Sequence, residues 1–106
     1  AVDVAGLYNG GFVIAYCDHT DADISFATYD GNGNNVTLET DIDTDISACG
    51  SLTSSANATH LAVTGLNVTN GANSSFAVIY DDNSTRSIFL SSVICFPPCS
   101  RLQRIL

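Results

Sequence analysis

The chain repeats itself. Shifted by 64 positions, its opening stretch meets a second copy without a gap: Phe12 falls on Phe76, Tyr16 on Tyr80, Asp18 on Asp82 and Ile24 on Ile88. Val13-Ile14-Ala15 lies over Ala77-Val78-Ile79, and Phe26 over Leu90. Upstream, Val4-Ala5-Gly6-Leu7 matches Val63-Thr64-Gly65-Leu66 at an offset of 59, so five extra residues precede Phe76. That insertion holds Asn73 and lies next to Asn67, as a surface loop tolerates. Self-similarity at this period signals an array of supersecondary units, each too small to bury its own apolar face.

Within a copy the apolar residues alternate and the breaks are turn-formers, which reads as an antiparallel meander. The first copy predicts strands over Asp3 to Leu7, Phe12 to Cys17, Ile24 to Tyr29 and Val36 to Ile46. Its turns carry Asn9-Gly10-Gly11, Asp18 to Asp23 and Asp30-Gly31-Asn32-Gly33-Asn34. The second copy predicts His60 to Leu66, Phe76 to Tyr80 and Ile88 to Ile94, with only Leu102 to Leu106 as a weak fourth strand. Ten of the eleven acids are Asp, and Thr, Ser, Asn, Gly and Val abound, a composition that disfavours helix. The expected fold is therefore all-β: two antiparallel meander units, propeller-blade-like or stacked as a sandwich, stapled by disulfides and essentially without helix. Residues 1–106 form one domain of two units, about 1–47 and 59–106, with a linker at 48–58.

Charge narrows the partners. Eleven acids face three arginines, Arg86, Arg101 and Arg104, with no lysine, for a net charge of -8. Nucleic acid and anionic membrane suit such a chain poorly, and no apolar run is long enough to span a bilayer. The chain opens at Ala1 rather than Met, which fits a processed mature form.

Cysteines and asparagines indicate the compartment. Cys17, Cys49, Cys95 and Cys99 are an even set without paired CxxC knuckles, and Cys95 to Cys99 is CxxxC with two prolines inside. Two disulfides are the preferred reading. Three connectivities remain open, with a leaning toward Cys17 with Cys49 and Cys95 with Cys99. Five N-glycosylation sequons begin at Asn35, Asn57, Asn67, Asn73 and Asn83. Nine asparagines among 22 Ser and Thr give only about two sequons by chance. Both modifications need the secretory route and place the protein outside the cell or on its surface. In a meander the sugars on Asn35, Asn67 and Asn73 gather at one end of the sheets, and those on Asn57 and Asn83 toward the other.

The stretch from Gly10 to Asn35 resembles the repeats of large secreted and cell-surface β-propeller-like proteins, which read roughly G-G-F-V-V-x-W, an acidic turn, D-I-x-x-x-x-F-D, then G-N. Gly10, Gly11, Phe12, Val13, Ile14, Asp23, Ile24, Tyr29, Asp30 and Gly31 fit that pattern, with Tyr16 in place of the usual Trp. The resemblance implies propeller-type blades. Two blades cannot close a propeller, which takes at least about four. The chain is then a fragment, a compact two-sheet stack, or a subunit completed by its neighbours.

Chemistry-bearing clusters are few. Glu39, Asp41, Asp43 and Asp45 alternate with Leu38, Thr40, Ile42, Thr44 and Ile46, so a straight strand sets four carboxylates on one face. That ladder suits calcium or a basic surface, or else charges a solvated edge strand against unwanted pairing. Asp30 to Asn34 imitates the start of a calcium loop but lacks its glycine and its terminal glutamate, and reads better as a hairpin turn. Asp18, His19, Asp21 and Asp23 crowd one turn, whose second copy keeps only the first acid; His60 marks a strand boundary. There is no glycine-framed serine, phosphate loop or selected carboxylate pair, so no enzyme and no obligate cofactor is expected, calcium being the one admitted. The expected function is a structural subunit of an extracellular N-glycosylated assembly, a filament or cell-surface array. Its homo-oligomeric contacts run through strands or edges, with Ala1 to Leu7 or Leu102 to Leu106 as donors. The alternative is a calcium- or glycan-binding adhesion module.

Overall fold

The computed structural model describes residues 1–18, 23–43, 60–67, 74–82, 87–95 and 99–105. Eight strands run in chain order: β1 (Val2–Gly6), β2 (Phe12–Asp18), β3 (Asp23–Tyr29), β4 (Asn35–Asp43), β5 (Leu61–Gly65), β6 (Ser74–Asp82), β7 (Ser87–Cys95) and β8 (Cys99–Ile105). They form two four-stranded antiparallel sheets, β1-β2-β3-β4 and β5-β6-β7-β8, each a plain meander. Among the described residues there is no helix. The linker at 48–58 lies outside them.

Period-two alternation builds the core. Along β2, Val13, Ala15 and Cys17 are buried while Phe12, Ile14 and Tyr16 stay half-buried on the opposite face. The buried set joins Ile24, Phe26 and Ile42 to make the inner face of the first sheet. Against it the second sheet lays Phe76, Val78, Tyr80 and Val93, flanked by Leu61, Val63 and Phe89. Phe26 and Phe76 meet edge to face across the interface, with ring centroids 4.9 Å apart at 67°. This geometry sets the positive ring edge on the negative face. No described cysteine is a free thiol.

The sheets lie closest at β1 and β5, which run alongside each other in the same direction. Val63 N donates to the Asp3 carboxylate at 2.9 Å, and a Cβ on Gly65 would collide with the Gly6 carbonyl oxygen. Toward β4 and β8 they diverge, leaving a cleft of about 250 Å³ lined by Phe26, Thr40, Asp41, Val93, Cys99 and Arg101. Arg101 spans it, donating to the Asp41 backbone carbonyl at 3.1 Å. The pair of sheets is thus a wedge.

Three features differ from the sequence expectation. The second sheet is not short of a strand: β8 pairs with β7 from Phe89↔Ile105 to Cys95↔Cys99. The N-terminal segment likewise pairs with β2 over Val2↔Tyr16 to Gly6↔Phe12, so both candidate donor strands are used inside the chain. Third, β4 is not straight. Three register shifts against β3 each place an extra residue on β4, and every such bulge reverses the alternation. Ile42 is therefore fully buried while Leu38, of the same predicted apolar set, is 78% exposed.

Candidate functional site

The acidic strand β4 meets the outer face of the first sheet. Register puts Tyr16 opposite Ser25, and Ser25 opposite Asp41. The Tyr16 hydroxyl donates to Glu39, so a phenol from β2 crosses over β3 to a carboxylate on β4. Beside it, Ser25 Oγ donates to Asp41 Oδ1 at 3.0 Å. Ser25 and Ala27, on the outward side of β3, are buried beneath this arch. Of the predicted ladder, the structure brings together Glu39 and Asp41 and occupies both with hydroxyl donors. The Asp43 side chain and Asp45 lie outside the described residues. Among those described, no group of three or more His, Cys, Asp or Glu side chains converges as a metal site would need.

Burial first, then the hydrogen bond and charge of Glu39, with smaller contributions from Asp18 and Tyr29, push the Tyr16 phenol well above its ordinary value. A proton held more tightly in the folded chain than in the unfolded one stabilises fully below the ordinary phenol value near about 10. That contribution is lost as pH rises through the folded value. Glu39→Gln removes the charge and should lower the Tyr16 titration midpoint, followed through its ring carbon resonances. An unmoved midpoint would show that Glu39 does not act on it.

The Asp30 loop is a self-contained turn. Its carboxylate accepts from the Asn32 and Asn34 backbone amides, both at 2.9 Å, and from Asn34 Nδ2 at 3.1 Å. Gly33, at φ +85°, closes it by donating to the Asp30 carbonyl. Hydrogen bonds from Asn34, then from Asn32 and Gly33, hold the Asp30 carboxyl below its usual range. The oxygens that suggested a calcium loop are satisfied by the loop's own amides.

The described sequon asparagines, Asn35 and Asn67, are both exposed. Asn35 opens β4 and Asn67 follows β5, which sets them at the same end of the two sheets. Asn35 Nδ2 donates to Thr28 O at 3.2 Å and Thr37 O at 2.9 Å; a glycosylated amide keeps one N–H, enough for one of these bonds. Asn57, Asn73 and Asn83 lie outside the described residues, as do Cys49, His19 and Asp21. From the acidic turn only Asp18 and the buried Asp23 are described, facing each other at the ends of β2 and β3.

Sequence reasoning missed the outer face of the second sheet. There a groove of about 400 Å³ is lined by His60, Leu61, Ala62, Ile79, Tyr80, Asp81 and Ile88. At its rim His60 N donates to Asp81 Oδ1 at 2.6 Å, with His60 Nδ1 3.4 Å from Oδ2. Ile79 and Ile88 are 41% and 50% exposed. The signal was present in the alternation of Ala77, Ile79, Ile88 and Leu90, but sequence alone does not say which apolar face lacks a partner.

No family model, curated protein or solved structure matches this chain.

Proposed function

We propose that the chain is a structural subunit of an extracellular, N-glycosylated assembly, a filament or cell-surface array. The observation that carries this reading is the use made of its carboxylates. Asp3 fastens one sheet to the other, Asp30 closes a turn, Glu39 and Asp41 tie hydroxyls across the first sheet, and Asp81 holds His60 at the start of β5. Groups that would serve an enzyme or a metal centre serve here as fasteners. The excess of sequons, with Asn35 and Asn67 exposed at strand ends, supports a glycan coat that leaves the sheet faces clear. Disulfides Cys17 to Cys49 and Cys95 to Cys99 complete the picture. The second is supported by register, since residues directly opposite in an antiparallel ladder are about 4.5–5.5 Å apart at Cα, within disulfide range.

Native material should show polymers by negative-stain microscopy at neutral pH, with or without a calcium chelator, and its peptides should carry N-glycans and these two disulfides. A monodisperse monomer, or bare asparagines at all five sequons, would sink the proposal. Polymers that dissolve on chelation would transfer it to a calcium-dependent adhesion module.

A further inference from the structure

The two sheets are stacked the same way up, and this leaves the molecule with two halves of its own internal interface. Equivalent residues of the repeat do not face each other. Phe76 and Tyr80 lie in the core, whereas Phe12 and Tyr16, their counterparts, lie on the outward side of the first sheet. The core is therefore the front of the second sheet on the back of the first. The front of the first sheet and the back of the second have no partner among the described residues.

Along β1 the vacant front repeats the occupied front along β5. Leu61 and Val63 pack against the core, and at the offset of 59 they correspond to Val2 and Val4, which are 70% and 60% exposed. Gly65 lies against the Gly6 carbonyl, where a side chain would collide. Gly6, its counterpart, has nothing within 4 Å of where a Cβ would stand, so nothing among the described residues requires its missing side chain. The vacant back matches in the same way: Ala77, Ile79, Ile88 and Leu90 stand where the first sheet has Val13, Ala15, Ile24 and Phe26. Its groove lies between β5, β6 and β7.

We infer that a second copy of this chain occupies these faces, the front of its first sheet seated on the back of the other copy's second sheet, in continuation of the internal stack. This rests on the structural-subunit reading and deepens it, replacing donated strands with a face-to-face joint. Such a joint is heterologous: each copy offers two different surfaces, so stacking propagates into a filament or closes into a ring. The wedge between the sheets, repeated, makes the stack curve. Copies of net charge -8 repel one another, and the joint itself brings Glu39 and Asp41 of the front toward Asp81 of the back, so added salt screens the repulsion and strengthens association.

The test uses the full glycosylated chain in sedimentation velocity across salt and protein concentration, with two variants. Gly6→Val obstructs only the front, and Ile88→Asp only the back. Each alone should melt as the parent does yet lose self-association by about tenfold or more, since each blocks one half of every joint. Mixed, they should recover a single joint and sediment as a heterodimer, because each brings the face the other lacks. Rings or open filaments from the unmodified chain both support the proposal. Assemblies that persist in both variants, or variants that fail to pair when mixed, would overturn this joint while leaving the structural reading intact. An unmodified chain that stays monomeric at high salt would overturn both.

Discussion

Replacing Phe76 by alanine should cost about 3–5 kcal/mol and lower the thermal midpoint by roughly 15 °C or more. Phe76 is fully buried on the front of the second sheet and forms the edge-to-face pair with Phe26. Its neighbours are backbone-anchored side chains on two flat surfaces, and neither sheet can collapse into the void without separating from the other elsewhere. The cost therefore falls at the high end for a deleted aromatic ring. Phe12→Ala is the control. It removes the repeat counterpart, which stacks on Tyr29 at 5.1 Å on the outward face, and should cost about 1 kcal/mol in the monomer. Equal losses from the two would mean that both faces are packed alike and that the stacking order described here is wrong.

The second large effect comes from a single methyl group. Gly65→Ala places a Cβ against the Gly6 carbonyl oxygen, a backbone atom that cannot swing aside as a side-chain tip could. Relief requires β5 to move off β1, which strains the hydrogen bond from Val63 N to Asp3 and loosens the core beside it. A loss of about 3 kcal/mol is expected, read as a lower denaturant midpoint at unchanged slope. Gly6→Ala should leave the midpoint within about 0.5 kcal/mol of the parent, because its methyl enters open space. A tolerated Gly65→Ala would show that the sheets do not approach at β1 and β5.

The strands and the turn chemistry were legible in the sequence because both depend on local rules: alternation along Phe12 to Cys17, and glycine with asparagine at Asp30 to Asn34. What stayed hidden is what depends on distant partners. Phe12 and Phe76 are equivalent in sequence, and only the stacking decides that one is outward and the other core. The β8 strand was underrated because Cys99-Ser100-Arg101-Leu102-Gln103-Arg104-Ile105 carries few apolar residues; its ladder with β7 supplies what its pattern lacks. The predicted apolar side of β4 split, with Leu38 exposed and Ile42 buried, because bulges leave no mark in composition. The Tyr16–Glu39 arch joins residues far apart in sequence that register alone brings together. Among candidate site residues, the Asp30 loop was readable as a turn, while the groove at Ile79 and Ile88 was not readable as a surface.

Each meander has an even number of strands, and this governs how the chain can be lengthened. A four-stranded meander brings the backbone back to the end where it started, but at the opposite edge. To begin β5 beside β1, the chain must travel from the last residue of β4, Asp43, across the width of a sheet and down one layer to His60. With strands about 4.8 Å apart and sheets about 10 Å apart, that is a path of under about 20 Å. Ile105 stands to the next layer as Asp43 stands to β5. A tandem gene carrying a copy of residues 44–60 between Ile105 and a second Val2 would therefore encode a continuous ribbon of sheets. Its length would then be set by the number of repeats encoded rather than by concentration.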